Sequence, residues 1–406
     1  MALFSGKSKS NQRVRRSRNG YEREYSEEEY EIHIQRVRRR RTLRLALIFI
    51  VLIIAALLFL LFNEKRSYHG YKIIASSEQE DIVSTTYMEM DGNILRYNSD
   101  GVSLVTKDLE TVWSDTYSMQ NPVGDVRGKH AVIADVDGMN ISIYDSNGLT
   151  GTVTTSYSIV KAKVSDDGLV AAILDSGDTT YINFYSAGGE LLAETLTEID
   201  DPGYPMDVAI SNNGILLMVT FQYVNGGETT SYVAFYNFGD VGQNEDDRIV
   251  SGYRYEGCVI PEVHYLDGAS CAAIRDDGFT IYSGKQIPEE KTTVKVDEEI
   301  VSVFHDNQTI GLVFRNEGSG KLYTMKVYDD TGNKKFEKEF NVPYSQIKVS
   351  EDYIIMYNSS QFCIMNGNGV TKYEGTVDGS IHDLIKVGMN RYLLVLETGI
   401  NMIKLS

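Results

Sequence analysis

From Ile82 onward the chain restarts the same short unit about every forty residues, and this rhythm limits what it can fold into more than any other feature. One unit reads GDVRGKHAVIADVDGMNISIYDSNGLTGTVTTS from Gly124, and the next VKAKVSDDGLVAAILDSGDTTYINFYSAGGELLAETL from Val160. A third opens PMDVAISNNGILLMVTF at Pro205 and resumes SYVAFYNFGD at Ser231. Each alternates five to eight residues rich in Val, Ile, Tyr and Thr with turn pairs such as Asp137-Gly138, Asn147-Gly148, Asp167-Gly168, Asn213-Gly214 and Asp277-Gly278, a pattern of strands joined by hairpins. Units start near 82, 124, 160, 205, 258, 300, 345 and 381, at spacings of 42, 36, 45, 53, 42, 45 and 36 residues.

That period matches four-stranded propeller blades. A lone blade leaves both faces bare, so blades must stack, and closing the ring removes the exposed edge. A sandwich has no reason to restart the same unit at this interval. The last unit has room for three strands before Ser406, whereas Gly70–Ala75 (GYKIIA) is one spare strand ahead of the first; the two together complete a blade. The expectation is an all-β, eight-bladed β-propeller, with seven blades as the alternative. The fourth unit is the longest because of QYVNGGETT, read as a polar loop between Phe221 and Ser231, and of the acidic stretch Gly239 to Arg248. Inserted loops on a rigid scaffold are natural places for a partner to touch, although functionless extensions look the same.

Ahead of the repeats lies Leu45 to Phe62 (LALIFIVLIIAALLFLLF), 18 apolar residues in succession, extended to 20 by Leu43 and Arg44. As a helix this run reaches about 30 Å, the hydrocarbon thickness of a bilayer. Arginines 36, 38, 39, 40, 41 and 44 crowd one flank, which by the positive-inside rule places the N-terminus in the cytoplasm and the repeats outside. The implied division is a disordered basic cytoplasmic tail over 1–25, a cytoplasmic juxtamembrane helix over 26–42, a transmembrane helix over 43–62, a linker over 63–70 and an extracellular propeller over 71–406. Ser26-x-x-Glu29 fits a capping box at the start of the juxtamembrane helix. The bilayer is accordingly an expected partner, through the transmembrane helix.

Charge is uneven. Residues 1–44 carry 13 Lys/Arg against 6 Asp/Glu, net +7, which leaves −25 on the rest of a chain whose total is −18. So acidic a body does not bind nucleic acid by electrostatics.

Few residues announce chemistry. Cys258, Cys271 and Cys363 show no paired spacing and read as unpaired core residues, one disulfide being the alternative. No HExxH, CxxC or nucleophile elbow is present. His130, His264, His305 and His382 fall in separate repeats. Because inner strands converge on a propeller axis, His264, His305 and His382 have a route to one another, yet hairpin-end residues holding no metal give the same spacing. Asp135-x-Asp137-Gly138 has the start of a calcium loop without its closing glutamate and reads as a tight turn, as do Asp166, Asp167, Asp276 and Asp277 before their glycines. Trp113 is the only tryptophan, which argues against an aromatic cleft for sugars or quinones. No catalytic, cofactor-binding or metal-binding residue is assigned, and no cofactor.

The arginine cluster Arg38 to Arg41, the run Leu45 to Phe62 and repeats such as ISIYDSNG at Ile141 to Gly148 resemble a domain-of-unknown-function family of single-pass Gram-positive membrane proteins with an extracellular propeller. The rhythm is also similar to WD40-like and quinoprotein-like propellers, without their repeated Trp-Asp endings or tryptophan docking motifs. The resemblance supplies no catalytic residue. The expected function is a membrane-anchored extracellular binding or scaffolding module for a protein or cell-envelope polymer. Two alternatives stand beside it: a cell-envelope hydrolase or lyase with its site at the central opening, and a transmembrane signalling or assembly factor.

Overall fold

A computed structural model describes residues 27–77, 84–198, 202–266, 268–318 and 320–406. The chain divides into two units, 1–66 and 67–406. In the first, one α-helix runs from Glu27 to Lys65, 39 residues. The expected basic tail over 1–25 and the capping residue Ser26 lie outside the described residues.

Among the described residues no helix is long and apolar enough to cross a membrane. This finding corrects the transmembrane helix over 43–62. With it fall the single-pass topology, the cytoplasmic and extracellular placements, the bilayer as a partner, and the reading of the chain as a membrane-anchored binding module or transmembrane signalling factor.

The second unit contains eight four-stranded antiparallel sheets. Blades 1 to 7 are each built from four consecutive strands, over 86–116, 122–154, 158–197, 204–256, 262–295, 300–340 and 346–376. Blade 8 takes three strands from 381–405 and its outermost from Tyr71–Ser77, which pairs antiparallel with Gly399–Leu405. The spare strand read near Gly70–Ala75 therefore closes the ring, and the count is eight, not seven. The first strands begin at 86, 122, 158, 204, 262, 300, 346 and 381, each within four residues of the start read from the repeats.

Alternation explains the stacking. In the blade 3 strand Val170–Asp175, Val170, Ala172 and Leu174 pack with blade 2, while Ala171 and Ile173 pack with blade 4. Both faces are covered, so second strands such as Val170–Asp175 read as nearly continuous apolar runs, and all of His130–Asp135 is buried. Eight buried apolar clusters result among the described residues, one for each pair of neighbouring blades, including blade 8 with blade 1. Fourth strands face outward and alternate, as in Leu191–Thr197, where Leu191, Leu192 and Leu196 are exposed.

Blade 4 departs from the sequence reading. QYVNGGETT is no loop: Leu216–Asn225 and Glu228–Asn237 pair along their whole length. Gly226 (φ 60°) and Gly227 (φ 90°) form the two-residue turn, which needs left-handed backbone at both positions. The acidic stretch after it folds into two short 3-10 turns, Gly242–Asn244 and Asp246–Arg248.

Candidate functional site at the central opening

The first strands are the inner ones: Thr86–Met90, Pro122–Arg127, Ser158–Val164, Tyr204–Ile210, Glu262–Tyr265, Ile300–His305, Gln346–Ser350 and Ile381–Gly388. Their polar side chains meet across blade boundaries. Asp125 of blade 2 accepts from Lys163 Nζ (3.0 Å) and from the Val164 N–H (2.9 Å), both in blade 3. Asp207 of blade 4 forms an ion pair with Lys161 (Nζ to Oδ1 2.9 Å) and accepts from the Val263 N–H of blade 5 (2.8 Å). These carboxylates bind strand to strand around the ring. Lys163 is largely buried, which acts to lower its pKa, but Asp125, Asp207 and Glu262 more than offset this and hold it above its ordinary value. Blades 7, 8 and 1 carry a second set, in which Lys348 reaches Asp383 (2.5 Å) and Glu351 takes both Lys386 (2.5 Å) and Lys107 (2.8 Å).

Two of the three candidate histidines come together. His264 of blade 5 and His305 of blade 6 lie with ring centroids 4.3 Å apart and planes inclined at 46°. His305 Nε2 donates to Glu262 Oε1 at 2.8 Å. With Nε2 spent on the carboxylate, Nδ1 is left as the acceptor nitrogen; it is buried and has no hydrogen-bond partner. Burial acts to raise the Glu262 pKa, but the hydrogen bond from His305 and the charges of Lys163 and Lys161 hold the carboxyl below its usual range. His264 is held well below the ordinary imidazole value, first by burial and then by His305, Arg127 and Lys163. It is thus neutral, and its Nε2 accepts from Arg127 Nη1 at 3.4 Å.

His382 stays apart, with Nε2 donating to the Thr85 carbonyl (2.9 Å). His130 donates from Nδ1 to the Asp166 carbonyl (2.7 Å) and ties blade 2 to blade 3. Asp135 accepts from the N–H groups of Gln120 (2.9 Å) and Asn121 (2.8 Å), and Asp137 turns at φ 65°, so this pair is a turn as read. Trp113 donates to the Ser146 carbonyl (3.1 Å) and stacks on Tyr144. All three cysteines are free and buried.

Sequence reading missed two groupings. Arg127, at the end of an inner strand, touches residues of blades 4 and 5 that lie 85 to 139 positions away. No local spacing marks such a residue; only the blade order does. The second is Cys258 with Asp276 and Asp277, whose donor atoms all lie within 4.8 Å of one another. There Arg275 grips Asp277 with two bonds (2.6 and 2.9 Å), and its hydrogen bonding, against the opposing effect of burial, lowers that carboxyl. Burial pushes the Cys258 thiol up to about 12. A protonated thiol beside an arginine-neutralised carboxylate makes a salt-bridged turn, and a cation there has to displace Arg275.

The arrangement defines a closed eight-bladed propeller with an ionised inner surface and a carboxylate–imidazole pair. The chain belongs to the family of unknown function DUF5711, whose model matches residues 64–405. The match covers the propeller, so the expected resemblance stands for a propeller family of unknown function and is corrected in its single-pass membrane part. No curated protein matches the sequence. Among solved structures, the chain is similar to the dihydro-heme d1 dehydrogenase NirN in complex with DHE, at 11% identity over 81% of this chain and 75% of that one, with a TM-score of 0.51. It is also similar to BamB from Moraxella catarrhalis, at 13% identity over 83% and 98% with a TM-score of 0.49. A eukaryotic initiation factor aligns at 13% identity over 83% and 89%, with a TM-score of 0.48. At these identities the likeness concerns the fold alone.

Proposed function

We propose that the propeller is a hydrolase or lyase with its site at the central opening, where His305, oriented by Glu262, moves the proton. The observation that carries this reading is the Glu262–His305 bond at 2.8 Å, which leaves a buried imidazole nitrogen with no protein partner. A carboxylate on one ring nitrogen fixes the tautomer, orients the ring and stabilises the imidazolium once formed. Nδ1 then takes a proton from water attacking an ester or glycosidic bond, or from carbon next to a carboxyl group. The imidazolium returns that proton to the departing oxygen. Neutral His264, packed on His305, adds no positive charge of its own to oppose this step.

The test is turnover by the purified full chain on a panel of nitrophenyl esters, nitrophenyl glycosides and acidic oligosaccharides. His305→Asn is expected to lower kcat by about 10²–10⁴-fold with the fold intact, and Glu262→Gln by less. Turnover of no member of the panel, or turnover unchanged in His305→Asn, sinks the reading.

A partner-binding role has one specific observation behind it. The long blade 4 hairpin Leu216–Asn225 to Glu228–Asn237 presents Val224 at 71% exposure. Pull-down with the full chain, compared with Val224→Lys, tests that surface.

A further inference from the structure

The fourth strand of blade 3, Leu191–Thr197, and the end of the third strand of blade 4, Glu228–Asn237, flank a cavity of about 390 Å³. Small-molecule sites have this size. Ala193, Phe238 and Ile249 give it an apolar wall, and Phe238 is held by stacking on Phe184 with ring centroids 4.7 Å apart. Two donors in the wall lack an acceptor. Tyr236 is buried, at 3% exposure, yet among the described residues nothing bonds its hydroxyl. Burial, with Tyr232 and Asp247 nearby, pushes its pKa up, so it stays a donor. Arg248 precedes Ile249, the ladder partner of Tyr236. Its guanidinium lies 5.8 Å from the Phe238 centroid, and among the described residues no carboxylate is within ion-pair reach. Asp247 brings a carboxylate to the same cavity, whereas Glu194 is already bonded by Asn183 Nδ2 (3.2 Å). Asp247 and Arg248 both take left-handed backbone, φ 53° and 61°, a conformation disfavoured for residues with a side chain.

We propose that this cavity between blades 3 and 4 binds a free α-amino acid with an apolar side chain. The ligand carboxylate takes the Arg248 fork and the Tyr236 hydroxyl, the ammonium meets Asp247, and the side chain lies against Phe238, Ile249 and Ala193. An uncharged apolar molecule leaves both donors unmet. A plain organic acid sets its charge beside Asp247 with nothing to offset it. A molecule with both charges on neighbouring atoms answers a cation and an anion contributed by consecutive residues, and charge-assisted paired bonds to an arginine fork are roughly twice as strong as neutral ones. Fourth strands are the outermost of each blade, so this site stands apart from the inner strands and is independent of the catalytic reading.

The experiment is a calorimetric titration of the full chain with L-leucine and, separately, with L-phenylalanine. Saturable binding of at least one is expected. The amide of that amino acid, which lacks the carboxylate, and the same acid without its amino group should each bind roughly tenfold or more weakly. Arg248→Met should weaken the amino acid by a similar factor and erase its advantage over the amide, and Asp247→Asn should erase its advantage over the acid that has no ammonium. Tyr236→Phe keeps the ring in place and is expected to weaken binding about fivefold. Circular dichroism checks the fold of each variant; where one does not fold, the ligand series on the unmodified chain decides. No saturable binding of either amino acid, an amide or a simple acid that binds as tightly, or binding unchanged in a folded Arg248→Met overturns the inference.

Discussion

His305 in blade 6 donates its Nε2 proton to Glu262 in blade 5 across 2.8 Å, and the bond joins two neighbouring inner strands. Stability should follow the titration of this region. His264 has a folded pKa well below its ordinary 6.5, so the unfolded chain takes up this proton first and the stabilisation, complete above about pH 6.5, is lost as pH falls below it. Glu262 is also lowered from an ordinary 4.5, so its contribution is complete above that value and is lost as pH falls through the lower folded pKa. Denaturant unfolding across pH 3 to 8 is expected to show two descending stages (roughly placed by these ordinary values). His264→Gln should remove the upper stage and Glu262→Gln the lower. A flat profile between pH 5 and 8 in the unmodified chain contradicts the buried neutral imidazole.

Thiol chemistry gives a second check. Burial pushes Cys258 and Cys363 each up to about 12 and raises Cys271 as well. With the thiols protonated and covered, none should react with a maleimide in the native protein, whereas all three should in denaturant. Mass spectrometry of the labelled chain reads the count directly, and native labelling of Cys258 argues against the close packing of blades 4 and 5.

Packing inside blade 6 is tight at one point. A Cβ built on Gly311 falls 2.0 Å from the Phe304 ring, which itself is buried at 3% exposure. Gly311→Ala is therefore expected to cost about 1–3 kcal/mol through overpacking, and Gly311→Ala with Phe304→Leu to recover part of that loss. Thermal unfolding of the two variants checks it, and a neutral Gly311→Ala contradicts the contact.

Ring closure supplies the fourth prediction. Tyr71 pairs with Leu405, and its ring lies 6.0 Å from those of Phe362 and Tyr373 in blade 7. Deleting 71–77 exposes the edge of Gly399–Leu405 and is expected to lower the melting temperature and promote association, since unpaired edges recruit other strands. Size-exclusion chromatography with thermal unfolding reads both effects.

The blade rhythm was open to reading because each unit repeats two local signals, an apolar run and an Asp-Gly or Asn-Gly turn, which do not depend on distant residues. The blade 4 hairpin was misread because Asn-Gly-Gly marks a turn but not how far pairing extends beside it; Tyr223 and Thr230 face each other in the ladder although their polar neighbours suggested a loop. The apolar run was read as a membrane span from its composition over Leu45 to Phe62, whereas among the described residues no helix is long and apolar enough to cross a membrane. The meeting of His264 with His305 followed from inner-strand convergence. His382 did not join them because blade 8 places it beside blade 1, against Tyr87 and Thr85. Arg127 was invisible, since its partners are fixed only once eight blades have closed.

The pairing of Tyr71–Ser77 with Gly399–Leu405 also sets an order of events during synthesis. A ribosome delivers the clasp before blade 1 and its catch only after blade 7, so blades 1 to 7 can assemble as they emerge while the 71–77 strand waits unpaired. Contacts of such long sequence separation form late and slowly. The polypeptide is therefore most vulnerable to proteases and to pairing with its neighbours until Gly399–Leu405 has emerged.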